Sequence, residues 1–180
     1  MRYAQIIPFD VCNGEGVGMS LFVQGCSFRC KGCFNSETWD YYGGKEWTEE
    51  IRNKFFELID RPYIKRISIL GGEPLADSNV VNVYELIHNI FNIYGHEKEI
   101  WIYTGYTFEE IFHDGFNNEL SMNDFYRKKI LQLPNVKVCV DGRYIEKERD
   151  ITLKFRGSKN QRVIDVQKSL KENKVVLYKE

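Results

Sequence analysis

Four short apolar runs each end at glycine: "MSLFVQG" (19–25), "KRISIL" before Gly71 (65–70), "EIWIYTG" (99–105) and "VKVCVDG" (136–142). Between them lie segments with helical periodicity. This strand–helix alternation constrains the fold more than any other feature, because it predicts an α/β sheet that is mostly parallel. "TEEIRNKFFELID" (48–60) starts at a capping Thr48, has Glu49 and Glu50 at its positive end, and puts Ile51, Phe55 and Leu58 on one face. "NVVNVYELIHNIFNIY" (79–94) repeats Val80, Val83, Ile87, Ile90 and Tyr94 at spacings of three and four. "TFEEIF" (107–112) sets Thr107 and Glu110 at capping-box spacing, and "MNDFYRKKILQL" (122–133) is helical up to Pro134. The last forty residues mix strand-like runs ("VIDV", "VVLY") with loops. Short connections favour a parallel sheet, open or curled towards a barrel, with ligands beyond the carboxyl ends of its strands. "GC", "GGEP", "TGY" and "DG" all follow predicted strands, so they are expected on one rim.

A chain of 180 residues fits one domain spanning 1–180. Its net charge of −1 gives no electrostatic footprint for nucleic acid or an anionic membrane surface. No run approaches the ~20 apolar residues of a membrane span. The start, "MRYAQIIPFDV", lacks the apolar core of a signal peptide. A cytoplasmic address follows as the expectation, and thiols stay reduced there. Five cysteines, an odd number, also argue against a pure disulfide framework.

Three of the five, Cys26, Cys30 and Cys33, fall within "CSFRCKGCF" (26–34). One reading is a structural zinc site, which needs a fourth ligand from His88, His96 or His113, all distant in sequence. Another is a redox C-x-x-C at Cys30 and Cys33, which leaves Cys26 unused. A third is a 4Fe–4S cluster held by three thiolates, with one iron open for chemistry. Cys12 and Cys139 read as ordinary residues, Cys139 lying inside a strand. "GGEP" (71–74), taken alone, is a Gly-rich turn with Pro74 opening a helix.

The Cys-x3-Cys-x2-Cys spacing resembles the signature of the radical S-adenosylmethionine superfamily, and "GGEP" at this distance resembles its second motif. "NGEGVGMSLFVQGC", "CKGCFNSETWD", "ILGGEPL", "IWIYTGY", "VCVDGRYI" and "FRGSKNQRVIDV" resemble the activating-protein family of anaerobic ribonucleoside-triphosphate reductase. That resemblance implies a partial (β/α) barrel of the radical S-adenosylmethionine type. It implies a 4Fe–4S cluster on Cys26, Cys30 and Cys33, and S-adenosylmethionine held near Gly32, Cys33, Phe34, Gly71, Gly72 and Glu73. The implied activity makes a 5′-deoxyadenosyl radical and installs a glycyl radical on the reductase. The implied partners are the glycyl-radical subunit and an electron donor such as a flavodoxin. Tyr103, Thr104 and Asp141 sit at later strand ends and are candidates for the same cleft, against core packing for Tyr103 and turn formation for the other two. "RGSKNQR" (156–162) is a polar loop facing either the partner or solvent. The pattern departs from its relatives in three places. Many superfamily members have an aromatic before the third cysteine, where this chain has Gly32 and puts Phe34 after it. Glu15 stands where proline is frequent, and Gly18 where a basic residue is common. The competing function class is a non-catalytic zinc- or thiol-binding module within a larger assembly.

Overall fold

The structure is a computed structural model describing residues 1–112 and 121–179. Its strands are β1 (Arg2–Asp10), β2 (Gly18–Val23), β3 (Lys45–Glu46), β4 (Arg66–Gly71), β5 (Glu99–Tyr103), β6 (Val136–Asp141) and β7 (Arg162–Asp165). Its helices are α1 (Glu49–Ile59), α2 (Val80–Tyr94), α3 (Phe108–Phe112), α4 (Met122–Gln132) and α5 (Val166–Glu172). The strands form one sheet in the order β3-β1-β2-β4-β5-β6-β7. The central four, β2, β4, β5 and β6, pair in parallel, while β1, β3 and β7 add antiparallel flanks. The expected α/β architecture with a largely parallel sheet is therefore present. The partial barrel is not confirmed: among the described residues no pairing joins β3 to β7, and the sheet is not closed.

The helix signals act as the side-chain chemistry dictates. The Thr48 hydroxyl accepts the Ile51 N–H at 3.3 Å and starts α1. Thr107 and Glu110 bond reciprocally, Thr107 N–H to Glu110 Oε2 at 2.8 Å and Glu110 N–H to Thr107 Oγ1 at 3.1 Å. Two elements carry no comparable signal. β1 bends through two register shifts and has no clean alternation of burial. α5 is only seven residues, started by an Asp165 cap.

Alternation along the strands separates two faces. Ile67, Ile69, Ile100, Ile102 and Cys139 point into the main core with Phe55, Val83, Ile87 and Ile130 of the helices. The opposite face carries Trp101, Val138, Val140 and Val163, with Tyr103 and Phe155 packed against them. With α1, α2, α4 and α5 committed to the first face, loops cover the second, and the site lies there. Among the described residues no helix is long and apolar enough to cross a membrane.

Candidate functional site

A cavity of about 420 Å³ opens at the carboxyl ends of the parallel strands. It is lined by Cys26 after β2, Gly71, Gly72 and Glu73 after β4, Thr104 and Gly105 after β5, and Gly142 after β6. The four glycine-bearing segments thus share one rim, as the alternation predicts.

Cys26, Cys30 and Cys33 all line this cavity, Cys26 buried and the other two partly exposed. The cysteine loop is pinned at its base by Gly25 N–H to Thr38 O (2.8 Å) and Cys26 N–H to Trp39 O (3.1 Å). Each sulfur meets backbone N–H. Burial pushes the Cys26 thiol up, while the Phe28 and Arg29 amides pull it down. Burial also pushes the Cys30 thiol up, against the Tyr144 amide and the Arg143 charge. Cys33 Sγ accepts the Asn35 N–H at 3.4 Å. Hydrogen bonds to sulfur stabilise metal-bound thiolate, and the metal itself supplies the charge that removes the thiol proton. Three soft ligands with amide donors beside an open cavity fit an iron–sulfur cluster. Among the described residues no three His, Cys, Asp or Glu groups converge to hold one ion. His88 stacks on Tyr84 and His96 packs on Phe91, and neither lines the cavity. His113 lies outside the described residues.

Glu73 is buried, and its carboxylate ties three strand-end loops together. Oε1 accepts from Leu75 N–H (2.9 Å) and Thr104 Oγ1 (2.8 Å), and Oε2 accepts from Gly105 N–H (2.7 Å). Burial pushes its pKa up to about 7 despite those donors. Three of a carboxylate's roughly four acceptor positions are therefore used within the chain. Arg127 of α4 steadies the same turn, donating to Leu75 O at 2.9 Å and pairing with Asp77 and Asp124.

Gly72 also lines the cavity, but the direction a side chain would take is blocked by the chain itself. A Cβ there would lie 2.6 Å from the Gly25 carbonyl oxygen, which accepts the Glu73 N–H at 2.8 Å. Gly71, at φ +104°, is pressed against Val23 and Phe22 in the same way. These glycines let the turn after β4 pack on the loop that carries Cys26.

Phe34, Tyr103 and Thr104 reach the cavity; Gly32 and Asp141 do not line it. Gly32, at φ +75°, faces Glu146. Asp141 is fully buried beneath the rim, held by the Arg162 fork (3.0 and 2.5 Å) and by Phe108 N–H (2.7 Å). Its role is to fasten the turn after β6. Tyr103 packs in the core of this face, and its buried hydroxyl has no hydrogen-bond partner among the described residues. Thr104 shapes its turn by accepting Tyr106 N–H at 3.1 Å.

The loop of residues 10–17 closes the other end of the cavity with Cys12 and Asn13. Its anchor is Arg66 of β4, which donates to Asp10 O (2.7 Å), Asn13 O (2.7 Å) and Glu15 O (3.2 Å). Gly18 pairs with Arg66, and a Cβ at Gly18 would overlap that guanidinium. Cys12 is exposed and lines the cavity, whereas Cys139 is fully buried on the helix face, its thiol raised well above the ordinary value by burial.

Sequence reading missed Arg143, Tyr144 and Arg156, which line the cavity from the C-terminal forty residues. Tyr144 packs at a tilt against Phe34 (5.4 Å between ring centroids) and Arg143 lies over Phe28 (4.5 Å). They fall within the segments "VCVDGRYI" and "FRGSKNQRVIDV", but the cavity contacts of Arg143 and Tyr144 cross about 110 positions of sequence, beyond any local pattern.

The family model for a 4Fe-4S single cluster domain matches residues 12–164, which places the chain among iron–sulfur proteins. Proteins named anaerobic ribonucleoside-triphosphate reductase-activating protein align over nearly the whole chain. The one from Vibrio cholerae is 36% identical over 163 residues, covering 89% of this chain and 96% of its own length. That of Escherichia coli K12 is 34% identical over the same shares, and that of Enterobacteria phage T4 33% identical over 91% and 93%. This chain belongs to the family of anaerobic ribonucleoside-triphosphate reductase-activating proteins.

Proposed function

We propose that the chain installs a glycyl radical on anaerobic ribonucleoside-triphosphate reductase, using a 4Fe–4S cluster held by Cys26, Cys30 and Cys33 together with S-adenosylmethionine. The observation that carries this is the convergence of three amide-bonded cysteines and the "GGEP" turn on one cavity. When bound, the cluster supplies the electron that splits the sulfonium into methionine and a 5′-deoxyadenosyl radical.

The chain's own residues bind, orient and exclude water. The cavity has a volume typical of small-molecule sites, which run roughly 300–1,000 Å³. Glu73 keeps the turn after β4 rigid, and its remaining acceptor position suits a ligand ammonium. Phe22, Leu70 and Val140 form apolar wall, which limits water around a reactive radical. Tyr103 offers its unpaired hydroxyl to a ligand polar group. No proton relay is required, because the transfers are of an electron and a hydrogen atom. In this reading the open sheet is the partial barrel of the superfamily, the electron donor is a one-electron carrier such as a flavodoxin, and the setting is the cytoplasm.

The test is anaerobic reconstitution with iron and sulfide, then reduction with S-adenosylmethionine present. Release of 5′-deoxyadenosine and a glycyl-radical doublet on added reductase are expected in electron paramagnetic resonance. Zinc retained in place of iron, with no nucleoside formed, would favour the non-catalytic thiol module. A doublet on pyruvate formate-lyase but not on the reductase would overturn the partner alone.

A further inference from the structure

Phe155, Arg156 and Gly157 line the cavity as one turn of the connection from β6 to β7. The backbone of that turn is strained. Among the described residues three non-glycine positions have positive φ, Arg29, Phe155 and Asn173, and Phe155, at φ +61°, is the one of them that lines the cavity. The left-handed region is costly for a bulky side chain, whereas glycine or asparagine takes it readily. Such a conformation persists only where the surroundings over-determine it. Gln161 supplies that constraint. Its Oε1 accepts the Gly157 N–H (3.0 Å) and the Ser158 N–H (3.2 Å), and its Nε2 donates to Gly142 O (3.0 Å). Gly157 is wedged against the cysteine loop, since a Cβ there would lie 2.7 Å from the Phe34 ring and 3.1 Å from Tyr144. Held in this way, the Phe155 ring turns onto the second face of the sheet. It meets Trp101 at a T, with centroids 5.0 Å apart, yet it is only partly buried. The rest of the ring faces the cavity, where Phe22, Leu70 and Val140 line the same space.

Resting on the proposed use of S-adenosylmethionine, we infer that the Phe155 ring lies against bound S-adenosylmethionine, and that Gln161 is the positioning residue that holds it there. A turn that only had to join β6 to β7 would relax with glycine or asparagine at this φ. An aromatic ring kept there in spite of the strain fits a ring that acts on whatever fills the cavity. Its unburied part gains apolar contact once the cavity is occupied, which adds affinity and removes water from the reacting groups. Gln161 acts through the backbone: its three bonds fix residues 157 and 158 to Gly142, and so fix the direction of the residue two positions earlier.

The experiment measures binding of labelled S-adenosylmethionine by equilibrium dialysis to cluster-loaded, oxidised protein, so that no turnover occurs, and urea unfolding of the same proteins without cluster. Phe155→Ala and Phe155→Gly are both expected to bind at least about tenfold more weakly than wild type with unchanged iron content, because each removes the ring from an apolar pocket. The glycine variant is expected to have the higher urea midpoint of the two, since it alone relieves the backbone. Phe155→Leu keeps apolar bulk on Trp101, guards against a folding failure, and is expected to bind at least about fivefold more weakly. Gln161→Ala is expected to weaken binding when Phe155 is present and to add nothing to Phe155→Ala. Affinity within about twofold of wild type in the alanine or leucine variant, with stability alone reduced, would overturn the assignment and leave the ring as core packing. Equal midpoints for the alanine and glycine variants, or additive losses at Phe155 and Gln161, would overturn the positioning. If cluster-loaded wild-type protein binds no S-adenosylmethionine, the proposed radical activity itself fails.

Discussion

Glu73 makes the stability of this protein fall as pH rises through neutrality. Its carboxyl is held at about 7 in the folded chain by burial, against an ordinary value of 4.5. Between those values the folded state keeps a proton that the unfolded state has released. The folded state binds more protons there, so stability declines with rising pH. This contribution is fully present below pH 4.5 and is lost as pH passes 7. A separation of about 2.5 units corresponds to about 3 kcal/mol at 1.36 kcal/mol per unit. Glu73→Gln removes the titration. It also turns one acceptor oxygen into a donor that faces the Gly105 N–H or the Leu75 and Thr104 donors, at a cost of about 1–3 kcal/mol. The variant should therefore be the weaker protein at pH 5, and the gap should close by about 3 kcal/mol by pH 8. Asp10 stays out of this window. Burial would raise it, but the Ser20, Cys12 and Asn13 bonds and the Arg66 charge hold it below the usual range. The assay is urea unfolding of cluster-free, reduced protein at half-unit pH steps, comparing midpoints at equal slope. A constant difference between the two proteins from pH 5 to 8 would refute the reasoning.

Three further outcomes are expected. Cys→Ala at Cys26, Cys30 or Cys33 should abolish iron binding after reconstitution, while Cys12→Ala and Cys139→Ala retain it; loss of iron in the Cys139 variant would sink the ligand assignment. Gly72→Val should lower thermal stability by about 1–3 kcal/mol through its clash with Gly25, and should lose cluster and S-adenosylmethionine binding together; selective loss of S-adenosylmethionine would instead mean that Gly72 contacts that ligand. Arg162→Ala should cost about 3–5 kcal/mol in chemical denaturation, because it strands the buried Asp141 carboxylate; a change below ~1 kcal/mol would show that Phe108 N–H alone satisfies that group.

What the sequence determined by itself is local. Apolar runs ending at glycine placed β2, β4, β5 and β6, and side-chain caps at Thr48 and Thr107 placed the starts of α1 and α3, because backbone preference and hydrogen bonding to near neighbours act over a few residues. The grouping of Cys26, Cys30 and Cys33 was legible for the same reason: three cysteines within a span of eight residues need only one loop. β1 and α5 escaped because an irregular strand and a seven-residue helix take their order from neighbours and not from a repeating pattern. Tertiary structure alone decided which strand-end residues face the cavity. Gly72 turned to Gly25, Asp141 went under the rim to Arg162, and the Glu73 oxygens went to the chain's own donors. It also brought Tyr144 to Cys30 and Arg66 to the loop of residues 10–17. Those pairings are fixed when the sheet sets its register and the helices claim one face, and no window of sequence contains both partners.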